Sequence, residues 1–245
     1  MSKTRLDQLL VARGLAESRA RAKAAIEAGG VTVDGAPARA ASQPVSEDAD
    51  IAYVEAHRFV GRGALKLDHA LTLWPIPVEG RTALDVGAST GGFTEVCLER
   101  GATRVYAVDV GQGQLHPRLA ADPRVVVLEK TDALDLTPEL ISEAPGLVVC
   151  DASFISLTKV LPVALALAAP GADLVALVKP QFEMDSRVEV GRGGLVRDEA
   201  ARQDALVRVS AWVASRGWTI EATAHSPIAG GDGNSEFLLW ARRPR

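Results

Sequence analysis

Apolar positions change rhythm along this chain. Leu6, Leu9 and Leu10 recur at helical spacing, and Gly14 closes that helix. Ser18 can cap a second helix running through Ala20, Ala24 and Ile26, which Gly29-Gly30 ends. Val31 and Val33 then alternate into an Asp34-Gly35 turn, and a further strand is predicted at Ile51 and Tyr53. The first stretch therefore reads as a helix pair packed on a short sheet. His57 to Gly63, HRFVGRG, reads as a joint, and Trp74-Pro75-Ile76-Pro77 as a second irregular stretch. From Arg81 onward, apolar runs (ALDVGA, VYAVDV, VVVLE, LVVCD, LVALVKP) alternate with helical segments, as in a parallel sheet covered on both faces. Right-handed crossovers make such a sheet doubly wound. TIEATAHSPI and EFLLWARR, joined by a Gly-rich loop, predict two antiparallel strands at the end. The expected organisation is a small α+β domain over 1–56, a linker over 57–63, and an α/β domain over 64–245.

Composition narrows the class. At 245 residues and 47% apolar, the chain can bury a full core and has room for one ordinary domain plus a small one. Cys97 and Cys150 fall on a predicted helix and a strand end and read as buried thiols, which fits a reducing, cytoplasmic setting. Met1 to Arg13 is too polar for a secretory signal. The stretch Val160 to Val178 is interrupted by Pro162, Pro170, Gly171 and Asp173, so it reads as helix, turn and strand, and no membrane association is expected. His57, His69, His116 and His225 lack metal-ligand spacing, and no catalytic metal is expected.

The net charge of −4 is a poor global match to a polyanion, so nucleic-acid contact needs a local basic surface. The N-terminus offers one, since Lys3, Arg5, Arg13, Arg19, Arg21 and Lys23 outnumber Asp7, Glu17 and Glu27. Arg19 and Lys23 share a face of the second helix, with Arg21 offset. A solvated helix face is the plain alternative. RLDQLL, SRARAKAAIEAGGVTVDG and VSEDADI together resemble the αL-type RNA-binding motif of a small-subunit ribosomal protein, pseudouridine synthases and a tRNA synthetase, with Asp34 where those usually carry Asn. The resemblance implies RNA contacts through Lys3, Arg5, Arg19, Arg21 and Lys23, to which Arg58, Arg62 and Arg192 add candidate phosphate contacts.

Asp85 to Phe93, DVGASTGGF, follows a predicted strand and opens a helix, so Gly87, Gly91 and Gly92 let backbone amides approach a ligand closely. The spacing is not the GxGxxG of a pyrophosphate cradle. Asp109 ends the next strand, where an acid can accept from both hydroxyls of a ribose. DVGxxxGGF followed by VDVG resembles class I methyltransferases, whose Rossmann-like, seven-stranded, mostly parallel sheet ends in an antiparallel hairpin. That resemblance implies S-adenosylmethionine held by Asp85, Gly87, Ala88, Ser89, Thr90, Gly91, Gly92, Phe93, Asp109 and Val110, with Asp132 and Ala133 at the adenine. Related sequences often carry Asn and Arg at those last two positions.

Lys66 in GRGALKLDHA, Asp151 in VVCDASF, Lys179 in LVKPQFE and Glu236 in GNSEFLLW fall near strand carboxyl ends or just before the first strand. Taken singly, each reads as a solvated cap. Together they resemble the FtsJ-type ribosomal RNA 2′-O-methyltransferases, and with the αL-type domain the TlyA (hemolysin A) family, over essentially the whole chain. The resemblance implies methylation of a ribose 2′-hydroxyl, expected on a cytidine of ribosomal RNA, with naked RNA or ribosomal subunits as partner. A ribose hydroxyl is a weak acid, so attack on a sulfonium methyl needs a base. A lysine serves only when neutral, and burial beside a second ammonium favours that form. Lys179 is expected to be the base, Asp151 its orienting partner, and Lys66 with Glu236 the holders of the target ribose.

Phe93 and Phe154 read as packing residues, whereas Phe182 and Trp74 are candidates for stacking on an RNA base. Two rivals stand beside this reading. A base-directed methyltransferase would show an Asn-Pro-Pro or Asp-Pro-Pro motif where this chain has Lys179-Pro180-Gln181-Phe182, or a nucleophilic cysteine; Cys150 precedes Asp151 and should face the other way. A haemolysin, or an RNA-binding module without catalysis, is the other. Monomer and homodimer both stay open.

Overall fold

A computed structural model describes residues 3–184 and 194–245. The chain divides into two compact units, Met1–Arg62 and Gly63–Arg245. The division falls at the end of the predicted linker, since Gly63 already begins a helix.

The first unit runs β1 (Lys3–Arg5), α1 (Leu6–Ala12), α2 (Arg19–Glu27), β2 (Val31–Val33), β3 (Ala36–Pro37), β4 (Pro44–Ser46) and β5 (Ile51–Tyr53). Ser18 caps α2 by accepting from the Arg21 amide. Asp34 and Gly35 both take positive φ, which closes the β2–β3 hairpin. Leu6, Leu10, Ala22, Ala25, Val31 and Val45 form the core. β1 pairs antiparallel with β4, a ladder that three-residue strands leave too short to read from alternation.

The second unit runs α3 (Gly63–Leu73), β6 (Thr82–Val86), α4 (Gly92–Glu99), β7 (Arg104–Asp109), α5 (Pro117–Ala120), β8 (Val125–Glu129), β9 (Leu147–Cys150), α6 (Leu157–Val160), α7 (Pro162–Leu167), β10 (Asp173–Val178), α8 (Pro180–Glu183), α9 (Glu199–Ser215), β11 (Thr219–His225) and β12 (Phe237–Arg242). Its seven strands lie in the order β11-β12-β10-β9-β6-β7-β8. Strands β8, β7, β6, β9 and β10 pair in parallel, as their continuous apolar sequences predict. β12 alone is reversed, because it inserts between β10 and β11 and pairs antiparallel with both. The expected terminal hairpin is present, with its second strand inward. Leu161 and Leu165 of α6–α7 and Leu206, Val209 and Val213 of α9 pack against the sheet in one core. α4 contacts β6, β7 and α3.

Register places the chemistry. Val86 pairs with both Val108 and Cys150, so the residues that follow, Gly87, Asp109 and Asp151, stand at the ends of three neighbouring strands on one level. Val178 pairs with Phe237, so Lys179 and Glu236 extend that row on the other side.

Candidate active site

Four charged side chains meet at this rim. Lys66, one turn into α3, puts its Nζ 2.5 Å from Glu236 Oε2 and 3.7 Å from Asp151 Oδ1. Lys179 Nζ lies 2.8 Å from the same Asp151 Oδ1. The side chains of Lys66, Lys179 and Glu236 are 7%, 8% and 2% exposed, against 20% for Asp151. Two ammoniums and two carboxylates balance formally, which is the condition for burying such charges together. Close approach depends on glycine: a Cβ at Gly63 would stand 3.0 Å from Asp151 Oδ2. The structure thus brings together all of the residues that the sequence singles out for the chemistry.

Sequence reasoning missed Ser153. Lys179 Nζ donates to its Oγ at 2.7 Å and to the Asp151 carbonyl oxygen at 3.0 Å. The signal available was the hydroxyl two residues beyond Asp151 in DASF. Glu183 was missed too; it is buried and accepts from Ser156 Oγ and the Leu157 amide, tying α8 to the start of α6. Burial pushes its carboxyl up from the usual range.

Beside the cluster opens a cavity of about 540 Å³, lined among others by Gly87, Ser89, Asp109, Val110, Asp132, Ala133 and Asp151. Gly87 has φ +81°, and a Cβ there would meet the Ala152 backbone at 3.0 Å, so only glycine lets these two strand ends approach. Asp109 accepts from the Ser89 amide at 2.8 Å and the Gly111 amide at 2.7 Å, one donor on each oxygen. A carboxylate has about four acceptor sites, so each oxygen can accept again. Asp132 caps a short 3₁₀ turn through the Leu134 amide, and Ala133 is buried beneath it. Asp85 and Phe93 lie behind the lining rather than on it, both buried. Asp85 Oδ2 accepts from Thr94 Oγ1 at 2.7 Å, while Oδ1 is buried without a hydrogen-bond partner. Burial raises this carboxyl to about 7, aided by Asp151 and Asp109 and opposed by the Thr94 hydroxyl. Thr90 accepts from the His116 amide through its carbonyl, and Gly91 and Gly92 open α4.

Two aromatic assignments need correction. Phe154 does not pack: it is 90% exposed, with φ +66°, and its ring stands 5.2 Å from that of Phe182. Trp74 is buried against Trp240 with ring centroids 5.9 Å apart, so it cannot present a face to RNA. The Trp-Pro-Ile-Pro sequence marked an irregular segment correctly but could not reveal its partner across the sheet.

On the first unit, Arg19 and Lys23 are displayed, with side chains 57% and 56% exposed. Arg5 and Arg19 both pair with Asp7, whose carboxyl is held down at about 2 by the Arg5 and Arg19 guanidiniums against the opposing effect of burial. Lys3 is exposed on β1. Arg21 departs from expectation. Its side chain is 13% exposed and turns inward to Glu55 and to the carbonyls of His57 and Phe59, so it fastens the segment after β5. Arg58 covers the Phe59 ring at 4.4 Å, and Arg62 approaches Glu27 at 3.5 Å. Arg192 lies outside the described residues.

Residues 59–243 match the FtsJ-like methyltransferase family, and residues 4–51 the S4 domain. The chain is 48% identical to the 16S/23S rRNA (cytidine-2′-O)-methyltransferase TlyA of Mycobacterium tuberculosis, over 98% of its own length and 90% of the relative's. The chain belongs to the TlyA family of FtsJ-like methyltransferases. Hemolysin A of Brachyspira hyodysenteriae is 38% identical over 96% of this chain and 98% of its own. A solved structure described as a hemolysin from Streptococcus thermophilus superposes with a TM-score of 0.78 at 38% identity, covering 100% of this chain and 90% of that one. Among the described residues, no helix is long and apolar enough to cross a membrane.

Proposed function

We propose that this protein transfers a methyl group from S-adenosylmethionine to the ribose 2′-hydroxyl of a cytidine in ribosomal RNA, with Lys179 as general base. The observation that carries the reading is the closure of Lys66, Asp151, Lys179 and Glu236 into one buried network beside the Gly87 cavity. The reaction named for the Mycobacterium tuberculosis relative supports the same choice of ribose and cytidine.

S-adenosylmethionine fits the residues present. The Gly87 turn leaves backbone room that a Cβ would fill, and Asp109 retains acceptor sites for ribose hydroxyls. Asp132 and Ala133 would meet the adenine, with Ser89 and Val110 along the cavity wall. When bound, the cofactor supplies an electrophilic methyl on a positively charged sulfur.

The chain's own residues do the rest. Lys179, as the free amine, takes the 2′-hydroxyl proton onto Nζ as the hydroxyl oxygen becomes nucleophilic. Asp151 steadies the resulting ammonium from 2.8 Å. Lys66, held by Glu236, faces the same carboxylate and fixes where the ribose can sit. Base catalysis supplies on the order of 10²–10⁴-fold, and positioning much of the remainder. Carbon methylation is disfavoured because Cys150 is fully buried in the core, where burial pushes its thiol up to about 12. The S4-type unit supplies phosphate contacts through Lys3, Arg5, Arg19 and Lys23, and ribosomal RNA as substrate puts the reaction in the cytoplasm.

Mapping ribose methylation in ribosomal RNA from cells with and without the gene tests the assignment. A cytidine whose 2′-O-methyl disappears with the gene and with Lys179→Ala is expected. A methyl found on a base, or full transfer by well-folded Lys179→Ala, overturns it.

A further inference from the structure

We infer that Ser153 is a positioning residue that aims the lone pair of Lys179. The inference rests on Lys179 being the base, and it begins with what a neutral amine has to offer. A protonated lysine carries three N–H donors; the free amine carries two and one lone pair. Around Nζ the structure places two aligned acceptors, Ser153 Oγ at 2.7 Å and the Asp151 carbonyl oxygen at 3.0 Å. The third neighbour, Asp151 Oδ1, lies 2.8 Å away, buried, and takes part in no aligned hydrogen bond.

Two acceptors use both hydrogens of the free amine. The lone pair is then left to the remaining direction, on the side of Asp151 Oδ1, which Lys66 also faces at 3.7 Å with Glu236 behind it. That is the side on which a proton-bearing hydroxyl has to arrive. The two acceptors differ in kind. The carbonyl is fixed by the backbone at the end of β9, whereas the Ser153 hydroxyl belongs to an exposed residue lining the cofactor cavity. The charged groups around Nζ are Asp151, Lys66 and Glu236, with Asp85 and the neutral Cys150 thiol behind.

Removing the hydroxyl releases the lone pair. In Ser153→Ala the amine has only the carbonyl and the carboxylate as acceptors. Only the carbonyl is aligned, so one hydrogen of the amine has no fixed partner and the lone pair is no longer held toward the substrate side. The loss therefore falls on the chemical step and leaves binding of both substrates intact.

Methyl transfer by the full chain, assayed on unmethylated ribosomal subunits with S-adenosylmethionine, tests this. Ser153→Ala is expected to lower kcat about 10- to 100-fold, with KM for subunits and calorimetric affinity for S-adenosylmethionine within twofold of wild type. Ser153→Thr, which keeps the hydroxyl, is expected to recover kcat to within about threefold. A kcat for Ser153→Ala equal to or above wild type overturns the inference, as does a fall in cofactor affinity that accounts for the lost rate. A Thr variant that folds and binds both substrates but stays as slow as the Ala variant also overturns it. Lys179→Ala in the same assay separates the two readings. If it is inactive while Ser153→Ala is normal, only the role of Ser153 fails; if it is fully active, the base assignment fails first.

Discussion

Arg19 on α2 and Lys66 on α3 each meet a carboxylate, at 2.8 Å and 2.5 Å, but their surroundings differ. The Arg19 side chain is 57% exposed, whereas Lys66 is 7% exposed and its partner Glu236 is 2% exposed. Asp7 is itself buried, at 5% exposure, but it keeps Arg5 as a second partner at 3.0 Å, so the exposed Arg19 can turn to a phosphate without stranding that carboxylate. A buried pair cannot be parted without leaving an uncompensated charge. The first unit therefore carries charges that are free to change partners, and the second carries charges that have to stay put. RNA capture needs the former, and in-line transfer needs the latter.

The sharpest way to break this contrast is Glu236→Ala, which strands Lys66 among buried groups. Removing one partner of a buried pair typically costs about 3–5 kcal/mol, and urea unfolding should register a loss of that size together with the loss of methyl transfer. Replacing both partners by Lys66→Met with Glu236→Leu should return most of the stability and none of the activity. Next in size is Gly87→Ala, which puts a side chain at φ +81° and 3.0 Å from the Ala152 backbone. Calorimetry should show S-adenosylmethionine binding weakened at least tenfold, and unchanged affinity would remove this turn from the cofactor site.

A pH-dependent effect follows at Asp85. Its carboxyl is raised from 3.8 to about 7, so the folded chain binds more protons than the unfolded chain between those values. Stability from this group is full below pH 3.8 and is lost as pH rises through about 7. Asp85→Asn escapes that loss. Its melting temperature relative to wild type should climb from pH 4 to pH 8, and a constant difference would mean that Asp85 is ionised throughout. The smallest expected effect is on the RNA side. Arg19→Ala with Lys23→Ala should weaken RNA binding severalfold and lower the salt dependence by about one unit of slope per lost phosphate contact. No change in that slope would return α2 to the role of a solvated helix face.

Much of this molecule can be read from sequence because its elements are long and regular. The parallel strands announce themselves as apolar runs, and Gly87, Asp109, Asp151 and Lys179 end up at the rim because each directly follows or closes one. The short ladder of β1 with β4 and the inward turn of Arg21 do not show, since both depend on partners forty or so residues away that no local period encodes. Phe154 misleads for another reason. Burial is the ordinary fate of a phenylalanine, and nothing in DASF signals the left-handed backbone that lifts its ring into solvent. Ser153 was invisible because its importance lies in where a neighbouring nitrogen can send its hydrogens.

The reversed direction of β12 has a geometric yield. β6, β7, β9 and β10 reach the rim with their carboxyl ends, and β12 run in that same sense would deliver its first residue to the opposite edge of the sheet. Because β12 runs backwards, its leading end arrives beside the tail of β10, and Glu236 stands across from Lys179. Turned the other way, the same six-residue strand would carry that carboxylate roughly 20 Å off, out of reach of either amine. A single inverted segment is thus what lets residues more than fifty positions apart, on neighbouring strands, share one buried cluster of charges.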